Sequence, residues 1–435
     1  MKTLRVMQAY EYESSPIFNP LRLNNERAAL LALLFNAGIC FEREGCFEWV
    51  YGRAERMEEG ARDWKVTLKP SKYSDGSPLT IEDFKASLLI QIEEGHGIHL
   101  KIDEFIDPLS IKIDPDSAAL FLKTRDVHID LSRVLAKRET SILPKEFNCN
   151  PSYSVTTGPY YLSRKTKYEA LLLRNEYFPN HKNSIESIRL VSEFGPSLKA
   201  LDFDIWYPRE KPNKKTMELI AQDFAELKDL SQNYILRVSE KSRALNEDDA
   251  KSLWNIFSNM NLPYGTERLE RIFSGLGSLN LPKQIEQKVF EKSFSLSIFD
   301  EHISKDILAR VKKYLPNVMV HTEKNFDAFI ENLDKFDAAI VWNDFSEKNP
   351  FDSIMVSTVP KAPILPKAKE IRCQLVEKGK ASFLNEDAER IEKILMDFGL
   401  VVPILEKPTY YYARKTIRNA VERMVPHCYW TFPMP

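Results

Sequence analysis

Residues 73–89 constrain the fold of this chain more than any other stretch. Asp75 and Gly76 form a turn pair, because glycine tolerates a positive φ and an aspartate carboxylate can bond its own backbone two residues further on. Thr80 and Asp83 have the spacing of a capping box, in which the hydroxyl covers a free N–H of the first helical turn. The stretch therefore predicts a tight turn followed at once by a capped helix.

Regular elements are predicted on both sides of this turn. Upstream, residues 64–70 alternate apolar and polar side chains, as a half-buried strand does, and end at a proline. Downstream, Ile81, Phe84 and Leu88 recur at helical spacing and predict a helix over residues 82–94 that glycines close. Strand, turn and capped helix are favourable local structure, and alone they indicate no function.

The composition indicates a globular protein of several domains. At 435 residues the chain is too long for one ordinary core, so two or three domains are expected. A formal net charge of −2 gives no electrostatic reason to expect nucleic acid or an anionic membrane as a partner. Fourteen glycines is a low number for this length, and no glycine-rich nucleotide motif occurs. We therefore expect no nucleic-acid partner.

The amino-terminal residues and the cysteines bear on where the protein works. The apolar residues before Glu13 are interrupted by Gln8 and Glu11, which leaves no signal-peptide core. The five cysteines are scattered without a C-x-x-C motif, so only Cys40 and Cys46 suit a local disulfide. Either the protein stays in the cytoplasm, or its first residue lies downstream of a removed or misassigned signal.

The last third of the chain alternates between strand and helix patterns. Strands are predicted over 294–299, 318–321 and 336–342, and helices over 302–314 and 326–333 lie between them. A β-α-β-α-β run of this kind predicts a small α/β lobe.

Earlier segments predict antiparallel strands instead. Residues 110–113 and 119–122 pair as a hairpin around an Asp-Pro-Asp turn. A Gly-Pro corner at 158–159 feeds residues 160–162 into a strand, and 171–178 follow as a second one. Two loosely alternating strands with Asn/Tyr-rich ends suit an antiparallel ribbon that crosses between lobes.

Three groups of residues suggest catalysis, and each has a simpler explanation. His96 and His99 have the spacing of a metal pair, but neighbouring glycines break the helix that would align both imidazoles. Residues 427–428 set a histidine beside a cysteine, yet adjacent side chains diverge. Asp202 and Asp204 lie on one side of a predicted strand, as edge charges do. We therefore predict no enzymatic activity, no metal site and no cofactor.

The motifs resemble those of one known family. Residues 73–84, Tyr-Ser-Asp-Gly-Ser-Pro-Leu-Thr-Ile-Glu-Asp-Phe, are similar to the signature of family 5 extracellular solute-binding proteins, the peptide- and nickel-binding receptors of ABC importers. Residues 156–162, Thr-Thr-Gly-Pro-Tyr-Tyr-Leu, and the Leu-Arg-Asn-Glu-Tyr-Phe run at 173–178 match a second family motif. The predicted elements follow the family order, whereas residues 207–290 match it poorly.

The resemblance implies an α/β fold that is periplasmic-binding-protein-like, of the large class II type. Such a fold has two α/β lobes with a hinge, plus an extra small domain. The implied domain limits are 1–40 for the first part of lobe I, 41–150 for the extra small domain, 151–235 for the second part of lobe I, 236–405 for lobe II and 406–435 for a C-terminal return to lobe I.

The resemblance also implies a site and a partner. In peptide-binding members an aspartate after a tryptophan-containing strand of the second lobe meets the ligand's ammonium group. Asp344 matches that aspartate, with Trp342 and Asn343 beside it, and a helix N-cap or a loop acid is its alternative role. Asn25 and Glu26 occupy the family position where the first lobe touches the ligand.

The function implied is capture of an oligopeptide or similar small solute in a cleft between the two lobes of a periplasmic monomer, for delivery to an ABC transporter permease. The alternative is a cytoplasmic ligand-sensing protein that uses the same fold without transport, which the missing signal and the thiols favour. The identity of the ligand depends on pocket shape, which a sequence does not specify.

Overall fold

The computed structural model describes the greater part of the chain. The described residues are 3–8, 10–13, 18–19, 21, 31–32, 34–43, 46–94, 102–114, 118–127, 129–136, 138–144, 147, 153–179, 185–195, 201–208, 212–239, 242, 244–258, 261, 289–299, 305–324, 328–329, 332–345, 386, 389 and 401–423. The chain divides into two compact units: residues 1–227 with 410–435 form the first, and residues 228–409 form the second. A separate small domain at 41–150 stays a prediction.

The two units are built from strands and a smaller number of helices. The strands are β1 (Thr3–Gln8), β2 (Cys40–Arg43), β3 (Cys46–Trp49), β4 (Gly52–Arg56), β5 (Asp63–Leu68), β6 (Ser71–Lys72), β7 (Pro78–Leu79), β8 (Lys112–Asp114), β9 (Ala119–Lys123), β10 (Tyr160–Thr166), β11 (Glu169–Arg174), β12 (Ser187–Ser192), β13 (Ile205–Tyr207), β14 (Phe224–Val238), β15 (Phe294–Phe299), β16 (Val318–Glu323), β17 (Ala338–Phe345) and β18 (Val401–Arg414). The helices are α1 (Ile81–Glu94), α2 (Leu131–Leu135), α3 (Lys214–Ile220), α4 (Glu247–Ser258), α5 (Lys305–Tyr314) and α6 (Arg418–Arg423). No helix among the described residues is both long and apolar enough to cross a membrane.

The first unit is organised around a mixed sheet in which β10, β11, β12, β1, β13 and the end of β18 are neighbours in that order. β1 runs parallel to β12 and to β13, whereas β11 and β18 run antiparallel to their neighbours. Gln8 at the end of β1 lies opposite Ser192 at the end of β12 and opposite Tyr207 at the end of β13. The carboxyl ends of three parallel strands therefore coincide at one edge.

A second, four-stranded sheet of this unit has the order β4-β5-β9-β8 and is antiparallel throughout. Trp64 and Val66 of β5 and Leu120 of β9 are buried, which is the alternation expected of a half-buried sheet. Helix α1 packs against β8 and β9 and buries Phe84 and Leu88. The hairpin predicted around residue 115 is confirmed by β8 and β9.

The turn and the helix cap predicted for residues 73–89 are both confirmed. The Asp75 carboxylate accepts the backbone N–H of Ser77 at 2.9 Å, and Gly76 adopts a φ of 85°. The Thr80 hydroxyl accepts the backbone N–H of Asp83 at 3.3 Å, and the Asp83 carboxylate accepts that of Thr80 at 2.9 Å. Both orphan N–H groups at the start of α1 are thus satisfied reciprocally.

Gly158 permits a close backbone approach at the start of β10. Its N–H donates to the Phe35 carbonyl at 2.9 Å, and the N–H of Tyr160 donates to the Leu34 carbonyl at 3.0 Å. A Cβ at Gly158 would lie 2.4 Å from both the Leu34 carbonyl oxygen and the Phe35 carbonyl carbon. Packing therefore explains the glycine of the family motif, since a larger residue at position 158 would clash with the backbone of Leu34 and Phe35.

The second unit contains the α/β lobe that the sequence predicts. β15 runs parallel to β16 and to β17, and β14 lies antiparallel to β17. Its core gathers side chains from strands and helices, among them Leu236, Leu253, Phe257, Phe294, Leu296, Val311, Ile340 and Ile404. The predicted helices over 302–314 and 326–333 both lie partly outside the described residues. The described part of the first is helical, and the three strands of the run are confirmed.

The chain passes from one unit to the other inside two long strands. The limits at 227/228 and 409/410 fall within β14 and β18, which have 15 and 14 residues. The predicted crossing by a ribbon over 160–174 is wrong, because β10 and β11 form a hairpin that belongs wholly to the first unit. A two-residue turn folds β10 back onto β11 and leaves neither strand free to continue elsewhere.

Substitution of Gly158 tests the close approach at β10. We expect Gly158→Ala to lower the free energy of unfolding by about 3 kcal/mol, because the methyl group meets backbone atoms that cannot rotate away. Gly60→Asn is the matched control, since Gly60 has a φ of 73° and open space around it, and asparagine tolerates that region at a cost of roughly 1 kcal/mol or less. Urea unfolding of the three proteins measures both changes, and equal losses would contradict the steric explanation.

Candidate functional site

Four polar side chains form a row across the first unit, where its parallel strands end. Gln8 lies between Ser192 and Tyr207 in the strand register, and residues paired in this way share one face of a sheet. The ring of Tyr207 stacks on that of Tyr411 of β18, with 5.1 Å between ring centroids. We call Ser192, Gln8, Tyr207 and Tyr411 the edge row. Its members offer a hydroxyl, a carboxamide and two phenols, and none of them carries a charge at neutral pH.

Gln8 is the unusual member of the edge row. Its side chain is 1% exposed, and neither Oε1 nor Nε2 has a hydrogen-bond partner among the described residues. Leaving a buried polar group unpaired costs about 1–3 kcal/mol, so native proteins nearly always satisfy such groups. By contrast, the Ser192 hydroxyl accepts the backbone N–H of Phe194 at 3.2 Å. Gln8 therefore holds a donor and an acceptor that the described part of the fold does not use.

The alternation of β1 explains how a glutamine comes to be buried here. Leu4 and Val6 are fully buried on one face of β1, and Gln8 continues that face. Met7 points to the other face, where it packs with Phe203 and other side chains. Gln8 thus occupies a position at which the strand pattern calls for an apolar side chain.

Charged side chains of the same sheet are engaged with one another. The Asp204 carboxylate, 4% exposed, accepts the backbone N–H of Arg5 at 2.9 Å and its guanidinium at 2.9 and 3.1 Å. Arg5 also contacts Asp202, and Arg189 bridges Asp202 at 3.2 Å and Glu169 at 2.9 Å. The hydrogen bond with Asp204 raises the pKa of Arg5 above its usual value, against the opposing effect of burial.

The interpretation of Asp202 and Asp204 as edge charges is wrong for Asp204. Both residues precede β13, and Asp204 is buried because Arg5 and Arg414 surround its carboxylate. The two aspartates therefore link β1 to the segment that precedes β13.

The predicted site residues of the second unit lie near the end of a parallel strand. Trp342, Asn343 and Asp344 belong to β17, and their backbone positions pair with residues 234, 233 and 232 of β14. Because β17 and β15 run parallel, these positions lie toward the carboxyl edge of the second unit's sheet. Asp344 stands inside the strand, so its backbone is neither a helix N-cap nor a loop.

Other sequence candidates fall outside the described residues or form no site. Asn25, Glu26, His96, His99 and residues 427–428 are not among the described residues. Within the described part of the chain, no group of three or more His, Cys, Asp or Glu side chains is arranged to hold a metal ion. No metal centre can therefore be built from the residues that the structure places.

The local disulfide between Cys40 and Cys46 is not formed. In the β2–β3 hairpin Cys40 pairs with Trp49, and Cys46 pairs with Arg43, which sets the two cysteines at opposite ends of the ribbon. The buried thiol of Cys40 donates instead to the Ser132 carbonyl oxygen at 3.5 Å. Although the two cysteines are close in sequence, they are not paired across the hairpin, so their side chains do not meet as a disulfide requires.

Asp337 anchors the start of β17, the strand that carries Asp344. Its carboxylate accepts the backbone N–H of Ser295 at 2.9 Å, the Ser295 hydroxyl at 2.7 Å and the Ser242 hydroxyl at 2.8 Å. Burial alone would raise the pKa of Asp337, but these hydrogen bonds outweigh it and lower the pKa below its ordinary value. The anchor ties β15 and β17 to each other at their amino ends.

Sequence reasoning missed the edge row. Gln8 drew attention only as a polar residue that interrupts an apolar run near the amino terminus. The available signal was its position, since it ends a strand in which the preceding residues of the same face are Leu4 and Val6. Tyr207 and Tyr411 meet through pairing between distant parts of the chain, which no local pattern indicates.

Comparison with known proteins identifies the fold. Neither protein-family models nor curated protein sequences give a match. Solved structures do, over nearly the whole chain. NikA from Staphylococcus aureus in complex with Ni(L-His)2 is 13% identical, and the match covers 99% of this chain and 98% of the NikA chain with a TM-score of 0.69. DppA from Helicobacter pylori, an ABC transporter-associated periplasmic binding protein in complex with the peptide STSA, is 11% identical with the same coverage and a TM-score of 0.73.

The murein tripeptide binding protein MppA from Escherichia coli is a third neighbour. It is 15% identical, covers 95% of this chain and 94% of its own, and has a TM-score of 0.69. All three are solute-binding proteins of the kind whose motifs this sequence resembles. The periplasmic-binding-protein-like α/β fold expected from those motifs is confirmed, and identities of this size establish the fold alone.

Removal of the Asp337 carboxylate tests the anchor of β17. At pH 7 we expect Asp337→Asn to lower the free energy of unfolding by about 2 kcal/mol, because an amide cannot accept all the donors that surround the carboxylate. Since the folded-state pKa is lowered, the carboxylate stabilises the fold above its unfolded pKa and loses that effect as the pH falls through the folded value. The difference between wild type and variant should therefore shrink below about pH 4.

Urea unfolding at pH 7 and under acid conditions measures this difference, with Asp248→Asn as control because Asp248 is exposed on α4. A difference between wild type and Asp337→Asn that is independent of pH would contradict the anchoring role.

Proposed function

We propose that this protein is a solute-binding protein, which captures an oligopeptide or similar small solute and delivers it to the permease of an ABC importer. It acts as a periplasmic monomer, needs no cofactor and leaves its ligand chemically unchanged. One observation carries the proposal. The fold matches solute-binding proteins over 95–99% of this chain and 94–98% of theirs, and two independent sequence motifs resemble the same family.

The ligands of the structural neighbours favour a small polar solute over a macromolecule. One neighbour holds a nickel–histidine complex, one holds a short peptide, and the third is a tripeptide-binding protein. Open α/β sheets bind ligands outside the carboxyl ends of their parallel strands. In this chain the edge row occupies such an end in the first unit, and Trp342 to Asp344 lie toward such an end in the second.

The mechanism we propose is a shift between an open and a closed state. A ligand that contacts both units favours the state in which both sets of contacts are made, so it moves the equilibrium by its difference in affinity for the two states. β14 and β18 carry the chain between the units and are the natural place for the change in backbone angles. No bond is made or broken in this cycle.

A cytoplasmic ligand-sensing protein with the same fold is the second candidate. The observation that favours it is Cys40, a buried thiol that the structure does not place in a disulfide. Cell fractionation decides between the two. Recovery from the periplasm supports import, and recovery from the cytoplasm supports sensing.

Two measurements on the intact protein test solute capture. Mass spectrometry of small molecules carried through a native purification should identify a peptide or another small polar solute. X-ray scattering with that molecule, and with a panel of di- to pentapeptides, should show a smaller radius of gyration on binding. Absence of any bound molecule together with superimposable scattering curves across the panel would contradict the proposal.

Asp344 is the residue that we expect to meet the ammonium group of a peptide ligand, because a desolvated cation needs a negative partner. Asp344→Ala should reduce peptide affinity by at least about 100-fold, which corresponds to roughly 3 kcal/mol, the scale of breaking one buried charge pair. The melting temperature of the ligand-free protein should stay nearly unchanged. Titration calorimetry with the same peptides measures the loss.

Glu291→Ala is the matched control for Asp344→Ala, since Glu291 is an exposed carboxylate of the second unit that precedes the amino end of β15. Its removal should leave peptide affinity as in wild type. Unaltered affinity of Asp344→Ala would remove Asp344 from the site.

A further inference from the structure

We propose that Gln8 is the residue through which the first unit recognises its ligand, and that it binds a neutral amide of that ligand, the peptide unit of an oligopeptide. This inference rests on the function proposed above and names the chemistry of one part of the site. A carboxamide presents one acceptor and one donor side by side, and a peptide unit presents the complementary pair.

The unsatisfied amide of Gln8 is the first support. Three buried side-chain amides of the first unit have an atom without a partner among the described residues. Asn36 and Gln91 each lack a partner for the oxygen alone, and their nitrogens donate to backbone carbonyls at 2.7–2.8 Å. Gln8 lacks partners for both atoms. Gln91 is thus largely committed to the fold, whereas Gln8 has its full hydrogen-bonding capacity left.

The position of Gln8 is the second support. It ends the central strand of the three parallel strands whose carboxyl ends coincide, with Ser192 and Tyr207 on either side. This is the edge of an open α/β sheet at which ligands bind. The other buried amides do not share it, since Gln91 lies on α1 and Asn36 precedes β2.

The pairing of the described charged side chains near Gln8 is the third support. Arg5 and Arg189 pair with each other in the strand register and lie on the face opposite to Gln8, where carboxylates engage them. Glu193 follows the edge row directly, and its carboxylate accepts the indole N–H of Trp206 at 3.2 Å. The described charges of this region are therefore matched inside the protein, and the edge row suits an uncharged group better than a charged terminus.

Stability and binding should change in opposite directions when Gln8 is replaced. Gln8→Met keeps the length of the side chain and removes an unpaired buried polar group, so the ligand-free protein should be as stable as wild type or more stable. The same change removes the donor and the acceptor offered to the ligand. In Gln91→Met the side chain loses its bonds to the Ser141 and Ser87 carbonyl oxygens, so stability should fall while binding persists.

The experiment compares wild type, Gln8→Met and Gln91→Met as full-length chains. The probes are a panel of di- to pentapeptides and, for the peptide that binds best, a set of analogues in which an ester oxygen replaces one N–H at a time. Calorimetry gives the affinities, and urea midpoints give the stability of each ligand-free protein. We expect Gln8→Met to bind that peptide at least tenfold more weakly with an unchanged or higher urea midpoint, and Gln91→Met to show the reverse pattern.

The ester analogues identify the amide that Gln8 meets. Wild type should lose affinity for one analogue, and Gln8→Met should bind that analogue and the parent peptide equally. If Gln8→Met binds the peptide as tightly as wild type does, this inference is overturned and the proposed function stands. The same holds if replacing each N–H by an ester oxygen changes the affinity of wild type and of Gln8→Met by equal factors. A wild-type protein that binds no peptide of the panel overturns peptide capture and the inference with it.

Discussion

The pairing of β1 with parallel strands on both sides is the constraint on which the first unit depends. A slip of one residue would turn every side chain of β1 to the other face, burying Arg5 and Met7 where Leu4 and Val6 now pack. Asp204 opposes such a slip, because its carboxylate takes both the backbone N–H and the guanidinium of Arg5. The same register brings Gln8 level with Ser192 and Tyr207. The ion pair of Arg5 with Asp204, three residues before Gln8 on β1, thus supports the register that forms the edge row.

Elements that depend on neighbours in sequence could be predicted well. The turn at Asp75 and the cap of α1 are made by residues at most three positions apart, so the sequence contains every partner. The strands and helices of the second unit could be predicted from hydrophobic periodicity, because each helix or strand contains its own pattern of apolar and polar residues. The glycine of the 156–162 motif was recognised as a corner, and the backbone of Leu34 and Phe35 shows why only glycine fits there.

Features that depend on distant partners could not be predicted. β14 and β18 run between the units, yet nothing in their own residues distinguishes a strand that crosses from one that ends. Asp204 looked like an edge charge, because Arg5 approaches it only after residues 199 positions apart are brought together. The burial of Gln8 has the same origin. Gln8 is buried in a strand whose partners β12 and β13 come from distant parts of the chain, and no local pattern separates it from an exposed glutamine.

The distribution of satisfied and unsatisfied polar groups among the described residues bears on the binding function proposed above. The hydrogen bond from Arg189 lowers the pKa of Glu169, and hydrogen bonds from Ser295 and Ser242 outweigh burial and lower the pKa of Asp337. At Gln8 both the donor and the acceptor of a buried carboxamide lack a partner among the described residues, and a carboxamide neither titrates near neutral pH nor attacks an electrophile. Such a group can form hydrogen bonds with a ligand that reaches the edge of the sheet. Paired carboxylates beside an unpaired neutral amide agree with the solute binding proposed above, in which the ligand is released unchanged.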